Sequence, residues 1–362
     1  MEELERIIGQ LIIVGLKANK LSRQIKKLIS SGKVGGVILF PQTSSPAHLR
    51  SLIEKMAELS PEHPLFIAID QEGGRVNRLK EPFTQFPPMR LLGRYGDEKI
   101  SYQVGEALGR ELRATGINLD FAPVLDLDLN PENQVIGDRS FGSEPELVAR
   151  LGVGFIRGIQ AQGIIACAKH FPGHGAGKED SHQTLPRIDA DKELIYSREL
   201  VPFKKAIESG VEMIMVGHLF FPSLDPYHPA SLSEKIIQEL LRKELNFSGL
   251  VIVDSLEMGA LDFLPLEDRA FMALRAGADL VLTTEGEENV ERIFQALMEA
   301  VKFGALSGER VYSSYQRVVE VKNKFLNNFL RSYRKDFKII GCPEHKALVE
   351  KISPKSQFPK IS

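Results

Sequence analysis

An alternation constrains this chain more than any other feature. Short runs rich in Val, Ile and Leu, each followed by a longer stretch with helical spacing, recur from the start to about residue 285. Runs apolar at nearly every position, rather than at every second one, read as parallel strands buried on both faces, with the stretches between them as crossover helices of βα units. The candidate strands are Leu11–Leu16, Val34–Phe40, Leu65–Asp70, Asn118–Asp126, Ile165–Phe171, Met213–His218, Leu250–Asp254 and Leu280–Thr284. Eight such units close a barrel. The expected fold is therefore an α/β, TIM-type (β/α)8 barrel in a single catalytic domain over residues 1–305, with a C-terminal helix and tail over residues 306–362 packed outside it or partly mobile. Ser101–Thr115, Glu144–Gln162, Glu193–Ser209 and Ser233–Leu245 carry the pattern of connecting helices, and Glu309–Phe337 that of one amphipathic helix. A doubly wound open sheet shares this rhythm and also gathers ligands at its strand ends. The pattern thus locates a site before it establishes closure.

That location is marked by where polar residues interrupt the apolar runs. Asp70, Asp126, Lys169, His170, His218 and Asp254 all fall at the C-terminal ends of predicted strands, which in a barrel form the active-site rim. KHFPGHG (169–175) crowds a lysine and two histidines around a turn after an apolar strand. A buried lysine without a partner is costly, so Lys169 is expected to face a polar cavity, where it and His170 can hold a ligand's hydroxyls. Otherwise His170 and His174 simply hydrogen-bond the turn. In the following segment, Asp180 and His182 stand two residues apart, and in an extended stretch their side chains point the same way. A carboxylate on one ring nitrogen fixes the tautomer and lets the other nitrogen move a proton near neutral pH. A surface turn is the plain alternative.

Asp254 ends a β-branched run, VIVDSLEM (251–258), as a fixed nucleophilic carboxylate would; an aspartate there can equally cap a following helix. Asp70 opens DQEGGRVNR (70–78) and can accept bonds from vicinal hydroxyls. Arg139 lies in VIGDRSFG (135–142), where Asp138 is a ready structural salt-bridge partner.

Charge and composition narrow the function classes. Forty-six basic against forty-eight acidic residues leave a formal net charge of -2, so no global field draws the protein to nucleic acid or an anionic membrane. A small neutral or mildly charged ligand is expected. The only cysteines, Cys167 and Cys342, do not suggest a disulfide framework. The charged start, Met1–Arg6, lacks secretory features, and no stretch reaches transmembrane length, so a cytoplasmic location is expected. The histidines are scattered over different strand ends with no HExxH or Cys/His cluster, so neither metal nor cofactor is expected. Oligomeric state has no signature in the sequence.

Five ordered motifs, AIDQEGGRVNRL, INLDFAPVLD, VIGDRSFG, KHFPGHG with its following DSH, and VIVDSLEM, resemble family 3 glycoside hydrolases. More narrowly they resemble bacterial β-N-acetylglucosaminidases of the peptidoglycan-recycling type. The resemblance runs from the second predicted strand to the eighth and leaves out the C-terminal tail. It implies Asp254 as nucleophile, Asp180 and His182 as an acid/base dyad on a mobile loop, and Asp70, Arg78, Arg139, Lys169 and His170 as the residues that hold the sugar. His218 matches a strand-end histidine near that pocket.

A histidine acid/base departs from the usual pair of carboxylates. β-Glucosidase relatives generally take a carboxylate acid/base from a second domain, for which this chain is too short; its shortness favours the N-acetylglucosaminidase branch. The expected reaction is retaining hydrolysis of terminal β-linked N-acetylglucosamine, with peptidoglycan-derived muropeptides as the expected source. Capture of the glycosyl intermediate by phosphate, a β-glucosidase of the same family, and a barrel that binds amino sugars without cleaving them are the other readings. The aglycone (muropeptide, chitobiose or glycoconjugate) has no signature in the sequence.

Overall fold

In the computed structural model, which describes residues 2–327, 329–332 and 336–353, the eight apolar runs become eight parallel strands. They are β1 (Ile12–Leu16), β2 (Gly36–Leu39), β3 (Phe66–Ile69), β4 (Leu119–Asp120), β5 (Ile165–Phe171), β6 (Met213–Val216), β7 (Leu250–Ser255) and β8 (Leu280–Thr283). Each pairs with its neighbours in chain order, and β8 returns to β1 through Ile12 opposite Val281, closing the barrel. Closure decides between the barrel and the open sheet. It also explains the continuous apolar runs: β2, β3, β6 and β8 are buried at every position, one face packing in the barrel and the other under the helices.

Two elements depart from expectation at prolines. The predicted strand Asn118–Asp126 is reduced to the two-residue ladder of β4, with Val124 alone bridging to Lys169 farther on. Pro123 has no N–H to continue the ladder. The predicted helix Glu193–Ser209 is two helices, Lys192–Ser197 and Leu200–Glu208. Pro202 cannot donate to the carbonyl of Arg198 and its ring crowds that carbonyl, so the helix starts again at Leu200.

Beyond β8 the chain stays against the barrel. The helix predicted over Glu309–Phe337 runs from Gly308 to Leu326 and stops where Asn327 leaves helical geometry (ψ 113°). From it Lys322 reaches under the barrel, where its Nζ donates to Gln10 Oε1 (2.7 Å) and the Gly35 carbonyl (2.8 Å). A last helix, Pro343–Ile352, is tied on by His345 Nδ1, 2.7 Å from Glu111 Oε1. Residues 354–362 of the expected tail lie outside the described residues. Among the described residues no helix is long and apolar enough to cross a membrane.

Candidate active site

The C-terminal ends of the strands surround a cavity of about 430 Å³, a size suited to one small ligand. Asp70, Arg78, Arg139, Lys169, His170, His182 and Asp254 all line it; Asp180 stands behind His182. Ile38, Phe40, Phe121, Met215, Met258 and Leu282 supply its apolar wall.

Its electrostatic centre is a carboxylate not singled out from the sequence. Glu72, on the short hairpin Gln71–Gly73/Val76–Asn77 after β3, is 2% exposed and takes a bidentate contact from Arg139 (Nε 2.8 Å, Nη2 2.8 Å). Lys169 Nζ lies 2.7 Å from the same carboxylate and 3.0 Å from Asp70 Oδ1. Arg78 reaches the other Asp70 oxygen at 3.5 Å. Burial disfavours the charges of Glu72, Arg139 and Lys169, but the pairing outweighs it: Arg139 and Lys169 hold the Glu72 carboxyl far below the usual glutamate range. Glu72 and Asp70 in turn hold Lys169 protonated above the ordinary lysine value. Lys169 itself was legible as a cation needing a polar cavity; its need for a buried anion was a signal that could have led to Glu72 and was not followed. The expected partner of Arg139, Asp138, pairs instead with Arg75 at 3.1 Å, because Arg139 is directed inward by Glu72.

A second buried carboxylate orients the KHFPGHG turn. Asp126 Oδ2 lies 2.7 Å from His170 Nδ1, and Asp126 Oδ1 accepts the His174 N–H at 2.7 Å. Burial opposes its ionisation, and the two histidines overcome that and keep its pKa low. With Nδ1 committed, His170 has Nε2 available to a ligand. The turn closes tightly because Gly175 has no side chain: a Cβ there would sit 1.5 Å from the Leu127 carbonyl oxygen. His174 is pushed down to about 4 by burial, so it is a neutral ring holding Ser181 Oγ at 3.0 Å.

Asp254, next to last in β7, lies at the cavity and accepts the Ser255 N–H at 2.7 Å. Burial works against its charge, while His170, the Ser255 N–H and Lys169 outweigh it and lower its pKa. It caps no helix: Met258 precedes the short 3-10 helix Gly259–Leu261, and the next α-helix begins at Leu266 after Pro265. Across the cavity His182 Nδ1 is 2.8 Å from Asp180 Oδ1, which also accepts the His182 backbone N–H at 2.9 Å. The pair meets in a turn, not in the extended segment expected, because the aspartate oxygen bonds the backbone two residues on.

His218 departs from expectation. It does not line the cavity; its Nδ1 lies 2.7 Å from Ser231 Oγ and its Nε2 2.9 Å from the Ser255 carbonyl. Burial lowers its pKa despite Asp254, so the neutral ring donates from Nε2 to that carbonyl and supports the backbone beside Asp254. Glu257, also missed, lines the cavity and accepts from Ser255 Oγ (2.9 Å), the Thr284 N–H (3.1 Å) and Thr283 Oγ1. Among the described residues no three His, Cys, Asp or Glu side chains converge as a metal site would.

Residues 3–321 match the family described as glycosyl hydrolase family 3 N terminal domain. A beta-hexosaminidase of Nitrosomonas eutropha is 38% identical over 295 residues, 79% of this chain and 84% of that protein. The fold superimposes on a glycoside hydrolase family 3 beta-N-acetylglucosaminidase from Paenibacillus sp. str. FPU-7 with a TM-score of 0.92 and 40% identity, covering 98% of this chain and 68% of that one. It also superimposes on the beta-glucoside phosphorylase BglX with a TM-score of 0.86 and 25% identity, covering 96% of this chain and 64% of that one.

Proposed function

The chain belongs to glycosyl hydrolase family 3, and from that premise we propose that it is a retaining exo-β-N-acetylglucosaminidase with Asp254 as nucleophile and His182 as acid/base. One observation carries this reading: a carboxylate on a rigid strand end and an imidazole on an irregular loop line the same cavity, and the imidazole is already oriented by Asp180. The names of the relatives supply the choice of sugar.

In the first step Asp254 Oδ attacks the anomeric carbon as its bond to the departing oxygen breaks. His182, protonated and bonded through Nδ1 to Asp180, gives its Nε2 proton to that oxygen. In the second step water attacks the same carbon, the bond to Asp254 breaks, and His182 Nε2 takes the proton from water. The anomeric configuration is inverted twice and so retained. Asp180 remains a carboxylate throughout: burial opposes this, and the backbone and ring N–H groups of His182 outweigh it. Asp70, Arg78, Arg139, Lys169 and His170 hold the sugar hydroxyls, with Glu72 fixing Arg139 and Lys169 in place. We assign the substrate to muropeptide-type fragments of peptidoglycan and the setting to a reducing cytoplasm, which suits two free, buried cysteines.

Asp254→Asn should lower kcat by about a thousandfold or more with the far-UV spectrum unchanged. Turnover near the unmodified level in that variant would overturn the nucleophile. Hydrolysis of an aryl N-acetylglucosaminide should exceed that of the aryl glucoside, and the reverse preference would move the assignment to β-glucosidase. A phosphorylase reading has its own support in the phosphorylase of similar fold and in an imidazole acid/base, which does not repel an anionic acceptor. Sugar 1-phosphate among the products formed in phosphate buffer would select it.

A further inference from the structure

His182 is carried by a loop with no regular structure, and its side chain is 65% exposed, yet proton donation demands a fixed position. The loop takes that position from the turn that follows the nucleophile. The Gly259 N–H donates to the His182 carbonyl at 3.1 Å, and the Ala260 N–H to the Ser181 carbonyl at 3.2 Å. Ser181 Oγ is held from the other side by His174. The turn itself is braced: Leu256 donates its N–H to the Leu282 carbonyl at 2.9 Å, Arg269 Nη1 donates to the Leu256 carbonyl at 2.8 Å, and Glu257 bonds the end of β8.

Backbone meets backbone here only because residue 259 has no side chain. A Cβ would stand 2.6 Å from the Gln183 carbonyl oxygen and 2.8 Å from that of His182, closer than real Cβ contacts come. We propose that Gly259 is a positioning residue for the acid/base, latching the Asp180–His182 loop onto the nucleophile's own turn so that the two reacting groups are set from one braced element. The proposal rests on the assignment of His182 above, and it extends that assignment to residues five and six positions after Asp254.

The test compares aryl N-acetylglucosaminides with good (2,4-dinitrophenyl) and poor (phenyl) leaving groups, using Gly259→Ala with His182→Ala as its control. In Gly259→Ala, kcat/KM for the phenyl glycoside should fall about tenfold or more relative to the dinitrophenyl one, because only the former needs a proton delivered. Azide, which needs no proton removed, should restore turnover of the dinitrophenyl substrate. Equal loss on both substrates, or no loss on either, would overturn the latch. If His182→Ala shows no dependence on leaving group, the acid/base assignment fails and the latch with it; if His182→Ala shows the dependence and Gly259→Ala does not, only the latch fails. Hydrogen exchange on the unmodified protein is independent of any variant's folding. Protected Gly259 and Ala260 amides are expected, and exchange at the rate of open loop amides would overturn the contact itself.

Discussion

Lys169 and Lys322 are the same residue at opposite ends of one barrel, each 3% exposed, and their surroundings could hardly differ more. At the C-terminal end Lys169 lies between two carboxylates, Glu72 and Asp70, which reverse the effect of burial and fix its charge. At the N-terminal end Lys322 has, among the described residues, only neutral acceptors, Gln10 Oε1 and the Gly35 carbonyl, with the Phe66 ring 4.8 Å away. Burial alone acts on it and pushes its pKa down to about 7. The comparison teaches that burial of a charge does not mark function. What marks it is a charge held with partners around a cavity, which in this fold occurs where loops follow strands.

The comparison breaks most visibly at Lys169. Lys169→Met should remove nearly all activity and lower stability by about 3 kcal/mol in urea denaturation. That is the low end for breaking a buried pair, because Arg139 keeps Glu72 partnered. A loss below about 1 kcal/mol would show the buried network to be less coupled than its geometry implies.

Lys322→Met should be far milder. Stability at pH 7 should stay within about 2 kcal/mol of the unmodified protein, since relief of a poorly solvated amine offsets the lost bond to Gln10, and kcat should be unchanged. A large loss of activity would tie the barrel's base to its site and erase the contrast between the two ends.

The last expected effect is a pH dependence at Lys322. Folding depresses the pKa of Lys322, so between about pH 7 and the ordinary lysine range the unfolded chain binds the extra proton and stability rises with pH. The penalty is full below that window and fades through it. The stability difference between the unmodified protein and Lys322→Met should therefore move in favour of the unmodified protein from about pH 7 to about pH 9.5, and a pH-independent difference would show that Lys322 stays charged.

Much of this was legible before the fold. The apolar runs placed all eight strands, because a strand buried on both faces writes itself into consecutive residues. The same runs placed Asp70, Lys169, His170 and Asp254 at the cavity, since each is among the first polar residues its strand could not bury alone. Arg139 and the Asp180–His182 pair were singled out from their local pattern and given roles by the resemblance, Arg78 came from the resemblance alone, and the structure gathers all of them at that cavity. His218 was misread by the same logic that served Asp254: it too ends a strand, but its ring turns to Ser231 and the Ser255 carbonyl.

Sequence alone determined the periodicity, the strand ends and the kinds of charge they carry, because these depend on neighbours a few residues apart. Only the tertiary structure decided which charges meet. Glu72 finds Arg139 across 67 positions, Lys169 finds Asp70 across 99, and Gly259 meets His182 between two loops that share no pattern. Those contacts follow from closing eight strands into a ring, an event with no local trace in the chain.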